Sequence, residues 1–382
     1  MVRRRHLLIA GASVAVAGLG TGAGLVAVHS DPAASATDGS NTSQPSVTTP
    51  PTTAPAPPLT VAAASPAAGA SGVDGSAPLV VATSAPVVTT GALPQITPSV
   101  AGNWSASGNR LTFTPSDGFV PLTTYTVTVP AGLRSAAGAT VGTAHSWTFT
   151  TAAGSVLRMQ QILAGLGYLP LSWTPTAGQP AQSPDQSLYH PPSGQFSWTW
   201  SSPPASLVAA WAPGQYTTMT RGAVMAFEAD HGMAVDGVAG PQVWNALLLV
   251  SSESAPQKNP HGYTYALAQK TSPETLTVWH DGSVISTSGT NTGIPQAPTP
   301  DGTWPVYERL RTQIMRGTNP NGTKYADPVA WVAYFNGGDA IHYIARSYYG
   351  SPQSLGCLEV SYATGQHIWP YLNYGTLVTV TG

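Results

Sequence analysis

The most constraining feature of this sequence is an apolar periodicity that changes twice along the chain. Apolar and polar residues alternate from about residue 59 to 152, follow a helical spacing from about 153 to 250, and alternate again from about 254 to 382. Strict alternation fits strands with one buried face, whereas spacings of three and four residues fit one face of a helix. The sequence therefore predicts a multidomain chain with a β-sandwich, a small helical module and a mainly-β domain.

The N-terminus indicates export. Three arginines at residues 3–5 precede an uncharged run from residue 7 to 28, and residues 34–36 supply a small-x-small cleavage site. The run reaches the roughly 20 residues that span a bilayer, and it also fits a signal peptide. We predict that residues 1–36 are a signal peptide or a membrane anchor, and both alternatives stay open. Residues 37–58, rich in Pro, Thr and Ala, are predicted to be an extended linker.

Composition disfavours several classes of partner. Charged residues make up only 8% of the chain and the formal net charge is −2, without a basic stripe, so nucleic acid is not expected as a partner. The nine histidines form no H-E-x-x-H motif and no short ligand cluster, so neither a metal nor another cofactor is expected. Membrane contact is expected only through the N-terminal segment.

The first alternating region has the pattern of an antiparallel sandwich, because its short apolar stretches are separated by Gly, Pro, Asn and Asp. The strings at residues 111–115, 124–127 and 147–151 resemble a bacterial Ig-like domain of cell-surface proteins. The resemblance covers residues 59–152 and implies a spacer or adhesive module without chemistry. Tyr125 and Trp147 are expected in its core.

The helical region carries a specific motif at a helix entrance, Asp-Gly-x-x-Gly-Pro at residues 236–241. Together with helices predicted near residues 156–166, 221–231 and 241–247, this motif resembles the three-helix peptidoglycan-binding domain. The resemblance covers residues 153–250 and implies binding to wall peptidoglycan. An insertion at about residues 170–213 separates the first two helices.

The insertion is rich in aromatic residues, including Trp198 and Trp200. Two residues apart on a strand, these side chains share one face of a sheet. Such a face could stack on the sugar rings of glycan. The alternative is that the aromatic residues pack the insertion onto the helices.

Cys357 is the only cysteine and defines the candidate site. One thiol cannot form an internal disulfide, so it serves as a nucleophile, an intermolecular bridge or an inert core residue. Gly356 before it allows a sharp backbone turn, and His342 upstream can accept the thiol proton. These residue types favour nucleophilic catalysis. Serine chemistry is disfavoured because Ser354 lacks the G-x-S-x-G motif.

Four motifs of the C-terminal region resemble the catalytic domain of L,D-transpeptidases: Thr-Pro-x-Gly-Thr at 299–303, Ile341-His342, Ser354-x-Gly356-Cys357, and Gly-Thr-x-Val at 375–378. The resemblance spans most of residues 260–382. It implies acyl transfer that forms 3→3 links between peptidoglycan stem peptides through a cysteine thioester. By this resemblance Cys357 is the nucleophile, and His342 is its base or imidazolium partner.

The resemblance also implies roles around this pair. The Tyr343 carbonyl is expected to orient the imidazole, with Asp339 as an alternative. Backbone N–H groups near Leu355, Gly356 and Cys357 are expected to stabilise the oxyanion, supported by Ser354. Stem-peptide binding is expected near four residues, namely Arg346, Tyr348, Tyr349 and Glu359.

Two positions depart from the family pattern. Leu355 stands where the family commonly has a second histidine, and Glu359 stands where it commonly has Asn or Arg. Glu359 is expected to pair with an incoming amine or with Arg346, or else to be a solvated surface carboxylate.

The resulting prediction is an extracytoplasmic, wall-associated L,D-transpeptidase, secreted or anchored, that acts on peptidoglycan stem peptides and is open to acylation by carbapenems. One alternative is an L,D-carboxypeptidase that hydrolyses the same thioester. The other is a non-catalytic wall-binding protein. A metal peptidase is disfavoured by the missing ligand motif.

Overall fold

The computed structural model describes residues 57–116, 118–178 and 188–382. The predicted signal or anchor segment, and all but the last two residues of the predicted linker, lie outside the described residues. The contacts between Cα atoms divide the chain into two compact units, residues 1–54 and residues 55–382. All the described residues belong to the second unit. Within the described part of the chain, no helix is long and apolar enough to cross a membrane.

The first alternating region forms eight strands: β1 (Val61–Ser65), β2 (Ala70–Val73), β3 (Leu79–Thr83), β4 (Gln95–Thr97), β5 (Gly102–Ser107), β6 (Arg110–Pro115), β7 (Thr124–Val129) and β8 (His145–Thr151). They build two four-stranded sheets, β1-β3-β6-β5 and β2-β8-β7-β4. Alternate residues of β3 and β7 are buried between the sheets, as the period-two pattern predicts. Tyr125 and Trp147 are 2% and 5% exposed, so their predicted core positions are confirmed.

Among its described residues, the middle region contains four helices and one antiparallel strand pair: α1 (Val156–Gly165), β9 (Leu171–Pro175), β10 (Gly194–Trp198), α2 (Ala205–Ala209), α3 (Thr218–Asp230) and α4 (Pro241–Ser251). Side-chain caps set two of the helix starts. Ser155 accepts from the Arg158 N–H at the start of α1, and Thr217 accepts from the Thr220 N–H at the start of α3. Pro241 occupies the first turn of α4, where a missing N–H costs nothing.

The aromatic insertion packs onto its neighbours. The β10 strand ends at Trp198, so Trp200 does not lie on it, and the condition for a shared aromatic face is not met. Trp198 is half-buried against the hydrophobic cluster of the helices. Trp200 is 6% exposed, and its ring centroid lies 5.9 Å from that of Tyr263. This burial favours the packing alternative over an exposed sugar-stacking surface.

The C-terminal region contains β11 (Thr264–Gln269), β12 (Thr275–His280), β13 (Ser283–Gly289), β14 (Gly302–Pro305), β15 (Glu308–Thr318), β16 (Lys324–Asn336), β17 (Asp339–Tyr343), β18 (Leu358–Val360), α5 (Tyr362–Ile368) and β19 (Leu377–Thr381). Its two sheets have the orders β13-β12-β11-β19-β14 and β15-β16-β17-β18. The hairpin between β12 and β13 turns at Asp281 and Gly282, whose φ angles of 46° and 84° suit a two-residue turn.

The helical and C-terminal regions share one hydrophobic cluster. Tyr265 and Leu377, both fully buried, pack with Val224 and Phe227 of α3. The backbones also approach closely, because a Cβ placed on Gly222 would lie 2.6 Å from the Gly375 carbonyl oxygen. The two regions are therefore packed into one interior.

Candidate active site

Strand pairing brings the predicted nucleophile and base together. β17 carries His342, and β18 begins directly after Cys357. The two strands are parallel, with Ile341 opposite Leu358 and His342 opposite Glu359. This register places Cys357 beside β17, although a long loop separates the two motifs in the sequence.

Gly356 makes the turn that presents Cys357. Its φ of 121° lies in a region that L side chains rarely adopt. A Cβ at this position would lie 2.2 Å from Oδ1 of Asp339, so the carboxylate occupies the space that a side chain would need. Both the backbone conformation and the neighbouring carboxylate require glycine here.

Ser354 closes the same turn with two hydrogen bonds. The Gly356 N–H donates to Ser354 Oγ at 3.1 Å, and Ser354 Oγ donates to the Cys357 carbonyl oxygen at 2.7 Å. The Gly356 N–H is therefore engaged within the turn. The predicted set of three oxyanion donors is reduced to the N–H groups of Leu355 and Cys357.

The surroundings of Cys357 favour the protonated thiol over the thiolate. Sγ lies 3.8 Å from the Gly338 carbonyl oxygen, to which the thiol donates. Burial raises the pKa of the Cys357 thiol to about 12; the Ala340 N–H opposes the shift, and the charges of Asp339 and Glu359 add to it. Protein atoms surround the sulfur closely, while the residue still keeps part of its surface in the cavity.

His342 is 3% exposed, and burial lowers the pKa of its imidazole; the hydrogen bond to the Tyr343 carbonyl opposes this shift. His342 Nδ1 lies 3.2 Å from that oxygen. Because a carbonyl only accepts, Nδ1 carries the proton and Nε2 keeps its lone pair. A neutral imidazole with a free Nε2 is suited to accept a proton. Asp339 bonds to Asn336 at 3.3 Å, so Tyr343 holds the orienting position.

Arg346 and Glu359 form a bidentate ion pair beside the site. Arg346 Nε donates to Glu359 Oε2 at 2.8 Å, and Asn291 Nδ2 donates to the same oxygen at 3.2 Å. The second guanidinium nitrogen contacts Glu359 Oε1 at 2.5 Å. The Glu359 side chain is 4% exposed, so it is not a solvated surface carboxylate, and of the alternatives the pairing with Arg346 is formed.

One cavity of about 1010 Å³ contains both His342 and Cys357 in its wall, and Arg346 and Glu359 also line it. The predicted substrate-binding residues Tyr348 and Tyr349 do not line it. Tyr348 is 60% exposed, and the Tyr349 hydroxyl donates to the Ile344 carbonyl.

Several contributors to the site have no local sequence signal. Tyr325 and Tyr334 line the cavity from β16. Burial raises the pKa of both hydroxyls, and the nearby Cys357 adds to the shift. Their roles depend on the long β15–β16 hairpin folding over the site. The position of a distant hairpin cannot be read from spacing.

A second, buried layer supports the cysteine turn. Thr299 Oγ1 donates to the Gly356 carbonyl at 2.8 Å and accepts from the Gly293 N–H at 2.8 Å. Glu274 accepts from both the N–H and the hydroxyl of Thr292, each at 2.7 Å. Of these residues only Thr299 belongs to a sequence motif, the Thr-Pro-x-Gly-Thr of residues 299–303.

Comparison with known families accounts for three parts of the chain. Residues 55–151 match the model of the bacterial Ig-like domain, and residues 207–247 match that of the putative peptidoglycan-binding domain. Residues 263–380, which include His342 and Cys357, match the model of the L,D-transpeptidase catalytic domain. The C-terminal region is therefore similar to the L,D-transpeptidase catalytic domain. All three resemblances predicted from the motifs are confirmed.

Solved L,D-transpeptidases resemble the chain more distantly. An L,D-transpeptidase from Mycobacterium smegmatis is 15% identical, with 85% of this chain and 100% of that chain covered and a TM-score of 0.29. L,D-transpeptidase 3 from Mycobacterium tuberculosis, in complex with a faropenem-derived adduct, is 14% identical, with 84% and 98% covered and a TM-score of 0.29.

The catalytic domain of the E. faecium L,D-transpeptidase is 26% identical, with 31% of this chain and 96% of that chain covered and a TM-score of 0.29. At these TM-scores, no residue role is transferred from the solved structures to this chain. No curated protein sequence matches the chain.

Proposed function

We propose that this protein is a peptidoglycan L,D-transpeptidase that forms 3→3 stem-peptide links through a thioester on Cys357. The observation that carries the proposal is the pairing of β17 with β18 inside the matched catalytic domain, which places Cys357 and His342 in the wall of one cavity. A thiol and a neutral imidazole facing one cavity are the parts that cysteine acyl transfer requires.

In the first half-reaction, His342 acts as a general base. The pKa shifts of the two groups favour a neutral thiol and a neutral imidazole at rest, so the proton passes from Sγ to Nε2 as the sulfur attacks the carbonyl of the third stem residue. The Leu355 and Cys357 N–H groups are the candidate donors to the oxyanion. The C–N bond then breaks, the terminal D-alanine leaves with the proton from His342, and a thioester remains.

In the second half-reaction, an amine of another stem peptide attacks the thioester. The C–S bond breaks, the amide bond forms, and Cys357 recovers a proton. Water competes with the amine, and an L,D-carboxypeptidase would use water instead. Transfer therefore requires a cavity that positions the amine, since oriented groups reach effective molarities of about 10⁵ M or more.

The cavity wall contains two arginines, Arg316 and Arg346, and of these Arg346 is held in place as a contact for a stem-peptide carboxylate. Glu359, which also accepts from the Asn291 amide, holds the guanidinium, while the Arg346 side chain keeps 32% of its surface exposed. Held in this way, the arginine loses little conformational entropy when it binds a carboxylate. Glu359, occupied by Arg346, acts as its support and is not free for an incoming amine.

The helical module and the Ig-like domain place the Cys357 site at the cell wall. We infer that α1, α3 and α4 form the three-helix peptidoglycan-binding module, at about residues 153–250, although the family match covers only residues 207–247. The Ig-like domain at about residues 59–152 acts as a spacer. The catalytic domain occupies about residues 254–382. Together these modules indicate an exported, wall-associated protein that is secreted or anchored by its N-terminal segment.

Intact mass after exposure to a carbapenem tests the proposal. We expect one adduct on the wild type, located on the peptide that contains Cys357, and none on Cys357→Ala. His342→Ala should acylate about 10²-fold more slowly or worse, because the general base is lost. An adduct that survives Cys357→Ala would overturn the assignment. A folded wild type that forms no adduct would favour a non-catalytic wall-binding protein.

Products with disaccharide-tetrapeptide separate transfer from hydrolysis. A transpeptidase yields cross-linked dimers with the loss of one D-alanine and less free tripeptide than dimer. Exclusive formation of tripeptide at high substrate concentration would establish the L,D-carboxypeptidase instead.

A further inference from the structure

Two carboxylates lie close enough to Cys357 for their charges to raise the pKa of its thiol, namely Asp339 and Glu359. They differ in their partners. Glu359 is neutralised by the bidentate contact with Arg346. Asp339 has a single side-chain contact, the amide of Asn336 at 3.3 Å, and it takes part in none of the ion pairs among the described residues.

Asp339 is also the carboxylate nearest to the turn that carries the nucleophile. Its Oδ1 fills the space beside Gly356, and the residue lines the cavity together with His342 and Cys357. Burial raises the pKa of the Asp339 carboxyl, the Asn336 amide opposes this shift, and the ionised carboxylate opposes thiolate formation and thus the first half-reaction. A carboxylate in a cavity wall with no counter-cation is suited to bind a cationic group of the substrate.

We propose that Asp339 binds the ammonium group of the acceptor stem peptide and positions its nitrogen beside the thioester. This inference rests on the proposed function and names the acceptor-binding residue. A charge-assisted hydrogen bond to an ammonium in a partly buried cavity is stronger than a neutral one, so a single carboxylate can select a cationic amine over water.

The proton balance follows from this contact. The acceptor arrives as R–NH₃⁺ and loses one proton, which passes through neutral His342 to solvent. The resulting amine attacks the thioester carbon, the C–N bond forms, and the C–S bond breaks. The second nitrogen proton passes to sulfur and restores the thiol. The net reaction converts the thioester and an ammonium into an amide, a thiol and one released proton.

The partition of the acyl-enzyme between two nucleophiles tests this role in the full chain. Disaccharide-tetrapeptide serves as donor and cationic acceptor, and hydroxylamine, which is uncharged at neutral pH, traps the same thioester as a hydroxamate. Asp339→Asn should lower the ratio of dimer to hydroxamate by about tenfold or more, because a charged hydrogen bond is lost while the thioester still forms. Asp339→Glu should recover part of this ratio, because it restores the carboxylate.

Asp327→Asn is the matched control, since Asp327 lines the same cavity and its charge acts on His342. A dimer-to-hydroxamate ratio in Asp339→Asn within about twofold of that in Asp327→Asn would overturn the inference. An equal loss of both products in Asp339→Asn, without recovery in Asp339→Glu, would also overturn it. Carbapenem acylation of each variant reports the first half-reaction separately, and its absence in the wild type would defeat the proposed function instead.

Discussion

At the scale of single residues, the site joins two neutral groups whose pKa values are shifted in opposite directions. Burial raises the pKa of the Cys357 thiol and lowers that of the His342 imidazole. An ion pair of thiolate and imidazolium would require the reverse shifts. Before the reaction, these shifts favour a proton on the Cys357 sulfur. In the proposed mechanism, the His342 imidazole accepts this proton as the sulfur attacks the substrate carbonyl.

The acylation rate should have an unusual pH profile. Because the pKa of His342 is lowered, the imidazole stays neutral below its ordinary value of about 6.5, and the acid limb should lie below that pH. Because the thiol pKa is about 12, the rate should not rise near pH 8.5 to 9, where free cysteine ionises. Carbapenem acylation followed from pH 5 to 9.5 measures both limits. A rise in rate centred near pH 8.5 would contradict general-base activation.

Gly356 should tolerate no side chain. Gly356→Ala places a Cβ 2.2 Å from Asp339 Oδ1 and strains a φ of 121°. We expect loss of carbapenem acylation and a fall in the free energy of unfolding of about 1–3 kcal/mol. Gly165→Ala is the control, because its Cβ meets no atom within 4 Å and the helix favours alanine. Adding Asp339→Ala to Gly356→Ala should recover some stability by removing the clash.

At the scale of elements, one carboxylate of α3 forms hydrogen bonds with the loop that precedes α4. Glu228, 1% exposed, accepts from the N–H groups of Asp236 and Gly237 through Oε2, at 3.0 and 2.9 Å. These bonds shape the Asp-Gly-x-x-Gly-Pro motif that the sequence marked. The conformation of the motif therefore depends on Glu228, which lies on α3 eight residues before Asp236 and nine before Gly237.

Glu228 should make stability depend on pH. Burial raises its pKa to about 7, while the two N–H donors oppose the shift. The folded state then binds a proton more tightly than the unfolded state, so this contribution to stability is present below pH 4.5 and is lost as the pH rises to about 7. Glu228→Gln should flatten the pH dependence of the free energy of unfolding in this range. An unchanged slope would contradict the raised pKa.

The same residue should matter for wall binding. Glu228→Ala leaves two backbone donors without their acceptor and should cost about 1–3 kcal/mol. Co-sedimentation of the full chain with purified peptidoglycan should weaken, since the turn before α4 loosens. Glu253→Ala, at a residue exposed beyond α4, provides a control for the loss of one carboxylate. Equal sedimentation of the two variants would separate this turn from wall binding.

At the scale of the whole molecule, the helices of the middle region and the C-terminal region share an interior. Tyr263, Tyr265 and Leu377 belong to the same hydrophobic cluster as α1, α3 and α4. The Tyr265 hydroxyl donates to Ser206 at 2.6 Å, and Trp200 packs over Gly282. The aromatic insertion therefore contributes to the interface between the two regions.

A fragment of residues 254–382 should be less stable than the full chain. Separation from the helices exposes three large buried side chains, each worth about 1.5–3 kcal/mol. We expect a melting temperature at least about 10 °C lower for the fragment. In the full chain, Gly222→Ala should give a smaller shift in the same direction, because its Cβ meets the Gly375 carbonyl. A fragment as stable as the full chain would show that the shared interior is energetically unimportant.

The sequence alone was enough to predict an Ig-like region, a peptidoglycan-binding region and a mainly-β region in this order, and to single out Cys357 and His342 as candidate reacting residues. These follow from local periodicity, from turn residues such as Asp281-Gly282, and from short motifs around His342 and Cys357. Local patterns report which side of an element is buried, and they identify residue types that chemistry requires. They do not report which distant segments meet.

The surroundings of Cys357 follow only from the tertiary structure. It paired Glu359 with Arg346, left Asp339 without a cation, and engaged the Gly356 N–H with Ser354. It also brought in Tyr325 and Tyr334 and left Tyr348 and Tyr349 outside the cavity wall. The charge state and partners of a group depend on burial and on contacts between residues far apart in the chain, which spacing in a sequence does not encode.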